Sequence, residues 1–237
     1  MHTAIVTGGS RGIGYAIAQA ILDDGGRVMI TGRDAARVDA AVATLADRIP
    51  DAARVAGSAV DVRNRGAIDQ LMLDVATRFG GFNTLINNAG VGAFAEVASM
   101  TDDDWDRVIQ TNLTGVFYCC RAAIPKLKES GGAWVINIAS LAGRNYFAGG
   151  AAYCASKAGL IAFSEALMQE VRFDNIRVSV VMPGSVETDF GGLTHGKGDT
   201  SSWKLTTDDV AEAVMSLLRH PARSLPSRIE IRPAKTK

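Results

Sequence analysis

Short apolar runs alternate with longer amphipathic ones along this 237-residue chain, and that alternation limits its fold more than any other feature. Strands are predicted at Thr3–Thr7, Arg27–Thr31, Val55–Val60, Thr84–Asn87, Ala133–Ala139, Arg177–Met182 and, more briefly, Arg228–Ile231. Helical periodicity fills the intervals at Gly12–Asp24, Ala35–Arg48, Arg65–Phe79, Asp102–Glu129, Ala152–Arg172 and Thr207–Leu218. Runs such as AIVT, WVINI and VSVV are apolar throughout, as strands buried on both faces must be. Strand–helix alternation of this kind predicts a parallel sheet with helices on both sides. No repeat, Pro-rich linker or low-complexity tract marks a boundary, so residues 1–237 are expected to form one α/β domain. The stretch 184–206 holds five glycines and several Ser/Thr and is long for an α/β loop, which makes it a candidate cover for a substrate.

Charge narrows the range of partners. Lys plus Arg and Asp plus Glu number 25 each, so no global field recruits nucleic acid or an anionic membrane. No apolar stretch approaches the roughly 20 residues needed to span a bilayer, and the first seven residues enter a strand without the leader pattern of a signal peptide. Cys119, Cys120 and Cys154 form no metal-ligand spacing, and an odd count is a poor disulfide framework. A reduced, cytoplasmic protein without a metal is the expectation.

The first strand runs into Thr7-Gly-Gly-Ser-Arg-Gly-Ile-Gly14. Glycines there let the backbone approach a ligand, and the free amides of the following helix attract a pyrophosphate. Gly8, Ser10, Arg11, Gly12, Ile13 and Gly14 are therefore candidate cofactor contacts. The second strand ends in Gly32-Arg33, where dinucleotide sites that prefer NAD(H) place an acidic residue. Arg33 and Arg11 suit a 2′-phosphate instead, which favours NADP(H) over NAD(H). Asp34 lies beyond the strand tip and reads as a helix cap.

Downstream, Ser140, Tyr153 and Lys157 stand in the spacing Ser-x12-Tyr-x3-Lys. On a helix, Tyr153 and Lys157 share a face one turn apart. A nearby ammonium is expected to lower the phenol pKa from its ordinary value near 10. The pair can then exchange a proton with an alcohol or carbonyl oxygen that Ser140 holds.

Together these fragments resemble the short-chain dehydrogenase/reductase family over essentially the whole chain. Asn87-Asn88-Ala89-Gly90, Asn112 and Pro183-Gly184-Ser185-Val186-Glu187-Thr188 extend the resemblance. It implies a Rossmann fold with a doubly wound seven-stranded parallel sheet. Tyr153 would be the acid/base, and Lys157 would lower its pKa while holding the nicotinamide ribose. Ser140 would orient the substrate oxygen, and Asn112 would help to hold a water beside Lys157. Asp61 and Val62 would flank the adenine, and Asn88, with Ala89 and Gly90, the adenosine-side ribose. Pro183, Gly184, Val186 and Thr188 would approach the nicotinamide. Asn83 replaces an Asp common among relatives and is expected only to shape a turn.

The resemblance implies interconversion of a small-molecule carbonyl and a secondary alcohol. Its alternatives are a 3-oxoacyl-acyl-carrier-protein reductase, with Arg121, Lys126, Lys128 and Arg172 offered to an acidic carrier, and a non-catalytic dinucleotide-binding regulator. Substrate would meet Arg144, Asn145, Tyr146 and Phe147 on one side and Phe190, Leu193, His195 and Trp203 on the other. The aromatics serve equally as substrate contacts or as the packing of a folded cover. Relatives pair the helices at 102–129 and 152–172 with their copies, so a homodimer or homotetramer is expected.

Overall fold

In the computed structural model, which describes residues 1–188 and 203–235, the apolar runs do form strands. These are β1 Thr3–Val6, β2 Arg27–Gly32, β3 Val55–Ala59, β4 Thr84–Asn87, β5 Ala133–Ile138, β6 Ile176–Pro183 and β7 Arg228–Ile231. All pairings are parallel, in the order β3-β2-β1-β4-β5-β6-β7. The chain builds outward from β1 to β3, then crosses to β4 on the other side of β1. That reversal opens a crevice beyond the carboxyl ends of β1 and β4, where ligands of doubly wound sheets bind.

The period of two explains why the strands are apolar throughout. Ile5, Leu85 and Val135 face one layer, against α3 (Arg65–Phe79), α5 (Gly115–Glu129) and α6 (Ala151–Val171). Their neighbours Val6, Ile86 and Ile136 face the other, against α1 (Gly12–Asp23), α2 (Ala35–Ala46) and α7 (Thr207–Leu218). Every residue of β5 is buried. The predicted boundaries of α7 and β7 coincide with the observed ones, and most others move by one or two residues. Among the described residues no helix is long and apolar enough to cross a membrane.

One predicted helix is interrupted. The span Asp102–Glu129 divides into α4 (Asp102–Ile109), a π-helical turn at Gln110–Thr114, and α5. The turn carries Asn112, fully buried, whose side-chain oxygen accepts from Val91 N–H at 2.8 Å. Its amide donates to Val91 C=O at 2.9 Å and to Ser156 Oγ at 3.0 Å. A single wider turn re-aims one side chain without ending the helix. Periodicity conceals it because the apolar stripe continues on both sides.

The apolar sheet also holds a polar chain. Asn87 and Asn137 lie opposite one another in β4 and β5. Asn87 Nδ2 donates to Asn137 Oδ1 at 2.8 Å and to Cys120 Sγ at 3.3 Å. Asn137 Nδ2 donates to Ser164 Oγ at 2.8 Å, and that hydroxyl donates to Leu160 C=O at 2.6 Å. The chain locks β4 to β5 and β5 to α6, the elements that deliver Asn88, Ser140 and Tyr153. Losing one buried partner leaves others unsatisfied, at about 1–3 kcal/mol. Asn137→Ala should therefore lower the free energy of unfolding by about 1–3 kcal/mol, read in urea as a lower midpoint with an unchanged m-value. Wild-type stability in that variant would show that the chain does not brace the sheet.

Candidate active site

The crevice is a cleft of about 1730 Å³. Its two rims are tied together at the chain reversal. Thr7 N–H donates to Ile86 C=O at 3.0 Å, and Thr7 Oγ1 accepts from the amides of Asn88 and Ala89 at 3.0 and 3.1 Å. Asn88 Nδ2 returns two bonds, to Thr7 C=O at 3.0 Å and Gly8 C=O at 3.1 Å. The turns after β1 and β4 thus form one rigid unit. Gly8 has φ +64°, and a Cβ on it would lie 2.9 Å from Ala89 Cα, so only glycine fits there.

Of the residues expected at the cofactor, Gly8, Ser10, Arg11, Gly12 and Ile13 line the cleft, as do Arg33, Asp61, Val62, Asn88, Ala89 and Gly90. Pro183, Gly184, Val186 and Thr188 line it at the far end, and Ser140, Tyr153 and Lys157 form its floor. Two of the expected site residues lie outside the cleft lining. Gly14 sits behind the lining, where a Cβ would lie 2.5 Å from Gly8 C=O, so it serves helix packing against the turn. Asn112 is also outside the lining, and its side chain is engaged by Val91 and Ser156. It positions the Gly90–Val91 backbone from behind.

The end of the cleft lined by Arg11, Arg33 and Asp61 has a consistent charge pattern. The first turn of α1 has neither an acidic residue nor a side-chain cap, which leaves its amides facing the cleft. Asp34 caps α2, its carboxylate accepting from Arg37 N–H at 3.1 Å. Asp61 is committed to the Arg63 guanidinium at 3.0 and 2.5 Å, and that bond first, then its backbone and charge partners, holds the carboxyl below its ordinary range. A side chain at Gly32 would crowd Ser10 Oγ at 2.9 Å, and the strand tip carries no acidic residue. The cations Arg11, Arg33 and Arg37 line this end.

The catalytic candidates meet at the carboxyl end of β5. Ser140 follows the strand, and its hydroxyl caps the next turn by accepting from Ala142 N–H at 3.1 Å. That turn is pressed onto α6, since a Cβ on Gly143 would lie 2.8 Å from the Lys157 carbonyl carbon. Ser140 is thereby brought to hydrogen-bond Tyr153. Lys157 is only 4% exposed, and its ammonium donates to Ile138 C=O at 2.8 Å. The same group lies 5.8 Å from the centre of the Tyr153 ring.

The electrostatics differ from the expectation. Burial raises the Tyr153 phenol above its ordinary value near 10, and the bond with Ser140 only partly offsets it. Burial also brings Lys157 down to about 8. Desolvation is the leading cause of both shifts, and spacing alone does not disclose it.

Several residues were not anticipated from sequence. Thr7, Asn137 and Ser156 brace the site, and Phe94 and Thr111 line the cleft. Asn87 and Asn137 carried a signal, as lone amides ending or interrupting apolar strands. Tyr146 is 70% exposed and does not line the cleft, whereas Phe147 and Asn145 do. Arg144 turns to Glu230 at 2.6 Å. Trp203 lines the cleft, while Phe190, Leu193, His195 and Lys197 lie outside the described residues. The ends of the 184–206 stretch are joined by a bridge between Val186 and Leu205.

Comparison with known proteins agrees with this geometry. The model of the short chain dehydrogenase family matches residues 2–195. A 3-oxoacyl-(acyl-carrier-protein) reductase of Chlamydia trachomatis serovar D is 38% identical over 188 residues, 79% of this chain and 75% of that protein. An alcohol dehydrogenase of the archaeon Thermococcus sibiricus, solved with 5-hydroxy-NADP, superposes with a TM-score of 0.92 at 27% identity, covering 100% of this chain and 98% of that one. A serine dehydrogenase in its closed form with NADP+ gives 0.88 at 31% identity, covering 99% and 96%.

The buried lysine has a consequence for stability. A lysine near 8 when folded and 10.5 when unfolded binds fewer protons in the folded state between those values, so stability rises with pH across that interval. The raised phenol of Tyr153 works the other way above about pH 10. Between about pH 8 and 10, urea unfolding of the cofactor-free protein should show a gain on the order of 2 kcal/mol. Lys157→Met should remove it; an equal gain in that variant would refute the assignment.

Proposed function

This chain belongs to the short-chain dehydrogenase family, and on that premise we propose that it is an NADP(H)-dependent oxidoreductase interconverting a carbonyl and a secondary alcohol. The observation that carries the proposal is the meeting of Ser140, Tyr153 and Lys157 on the floor of a cleft whose other end offers a glycine turn and three arginines. The residues present suit a phosphorylated dinucleotide. The amides of the Gly8–Ile13 turn would hold the pyrophosphate, Arg11 and Arg33 the 2′-phosphate, and Lys157 the ribose hydroxyls beside Tyr153. The NADP-derived ligands of the two structural relatives support that choice.

Bound NADP(H) supplies or accepts a hydride. In the reductive direction Tyr153 donates its phenol proton to the substrate oxygen as negative charge develops there. Burial favours the neutral phenol over the phenolate, which suits a proton donor. Ser140 donates a hydrogen bond to the same oxygen and fixes its position between the two hydroxyls. Lys157, still mostly protonated at pH 7 with a pKa of about 8, places positive charge beneath the phenol and favours the phenolate left behind. In the oxidative direction the same phenolate accepts the alcohol proton.

The Chlamydia relative raises a second reading, reduction of a 3-oxoacyl group on a carrier protein. The cations available for an acidic carrier are largely engaged: Lys126 with Glu129, Lys128 with Asp174, and Arg121 over the Phe117 and Tyr118 rings. A small carbonyl substrate is therefore the favoured reading.

Tyr153→Phe should lower turnover of a ketone panel by about 10²- to 10⁴-fold while NADPH binding, followed by its fluorescence, stays within about threefold. Full activity in that variant removes Tyr153 from the chemistry. Charge-assisted bonds to a phosphate are worth about 1.5–3 kcal/mol. Arg33→Ala should accordingly cost roughly ten- to hundredfold in kcat/KM with NADPH and little with NADH; a wild-type preference for NADH would overturn the cofactor assignment.

A further inference from the structure

Two aromatic side chains remain half open where the substrate must lie. Phe94, from the segment after β4, and Phe147, from the segment before α6, both line the cleft at 40% and 49% exposure. Their ring centres are 6.0 Å apart at 40°. Phe94 also meets the Tyr153 ring edge-on, at 5.8 Å and 68°. The three rings thus form a continuous wall that begins at the phenol.

The wall is preformed. Ala95 N–H donates to Gly149 C=O at 2.9 Å, which pins the segment of Phe94 to that of Phe147. Gly150 N–H donates to Phe147 C=O at 3.2 Å, and a Cβ on Gly150 would stand 2.5 Å from Phe147 Cε2. The Phe147 ring therefore lies against the start of α6, on a surface that only glycine leaves free. Arg144, three residues earlier, is held by Glu230 and supplies no charge to the wall. Exposed aromatic faces this close to a reacting oxygen gain most from a flat apolar partner, which can stack or pack edge-to-face.

We propose that Phe94 and Phe147 select a carbonyl or alcohol bearing an aryl group next to the reacting carbon. This rests on the carbonyl–alcohol reading above. A substrate oxygen held between Ser140 and Tyr153 would bring its substituent alongside the Tyr153 ring, against whose edge Phe94 packs at 5.8 Å. An alkyl chain fills the same space with weaker, less oriented contacts.

The test compares acetophenone with 2-octanone, an alkyl ketone of equal carbon number, using NADPH and the full chain. Wild type should favour acetophenone by about tenfold in kcat/KM, and Phe94→Ala and Phe147→Ala should each reduce that ratio several-fold, largely through KM. Tyr146→Ala, on the exposed neighbour outside the cleft, should leave the ratio in place. Equal use of both ketones by wild type overturns the proposal. So does a parallel loss for both ketones in the Phe variants, which would mark the rings as packing alone. If neither ketone consumes NADPH, the oxidoreductase reading fails separately, and calorimetric titration of acetophenone into the NADP+-bound protein decides this one. Binding that Phe94→Ala weakens several-fold supports the wall; no binding overturns it.

Discussion

The latch between Thr7 and Asn88 is the contact on which the rest of the cleft depends. Two turns from strands remote in sequence must stand side by side where the sheet reverses direction, and each would otherwise present unpaired backbone groups. Thr7 Oγ1 accepts from two amides of one turn, and Asn88 Nδ2 donates to two carbonyls of the other. Satisfying four partly buried backbone groups with two side chains holds the two turns together at the crevice. The glycines then matter for closeness: Gly8 meets Ala89, and Gly14 meets Gly8.

A second unit is built at the carboxyl end of β5. The Ser140 turn rests on the backbone of α6 through Gly143, and Lys157 reaches back to the last carbonyl of the strand. Strand, turn and helix therefore move as one body. The amide chain Asn87–Asn137–Ser164 ties that body to β4, and hence to the Thr7–Asn88 latch. Asn112 completes the link by clamping Val91 from within its π-helical turn. Polar groups inside an apolar sheet cost free energy unless they are fully paired, and pairing them makes the geometry specific.

The strand–helix alternation, the glycine turn and the cap of α2 were readable because each depends on residues close in sequence. Asp34 is an example: its carboxylate reaches an amide three residues away, and its type and position announce this. Where a contact crosses the fold, sequence was silent or misleading. Nothing local marks Gly14 as packing on Gly8, Phe94 as a neighbour of Tyr153, or Asn112 as seated in a π turn. Tyr146 and Phe147 are adjacent and chemically alike, yet only Phe147 enters the cleft.

The sequence by itself determined the parallel α/β architecture, the glycine turn after the first strand, and the placing of Tyr153 and Lys157 on one helical face. Periodicity and short-range spacing carry all three, and both act within a few residues. The tertiary structure alone decided how those groups behave. It buried Lys157 and brought its pKa down to about 8, raised the phenol of Tyr153, and set an aromatic wall beside it. Desolvation depends on every element packed around a group, so the direction of those shifts exists only once the chain is folded.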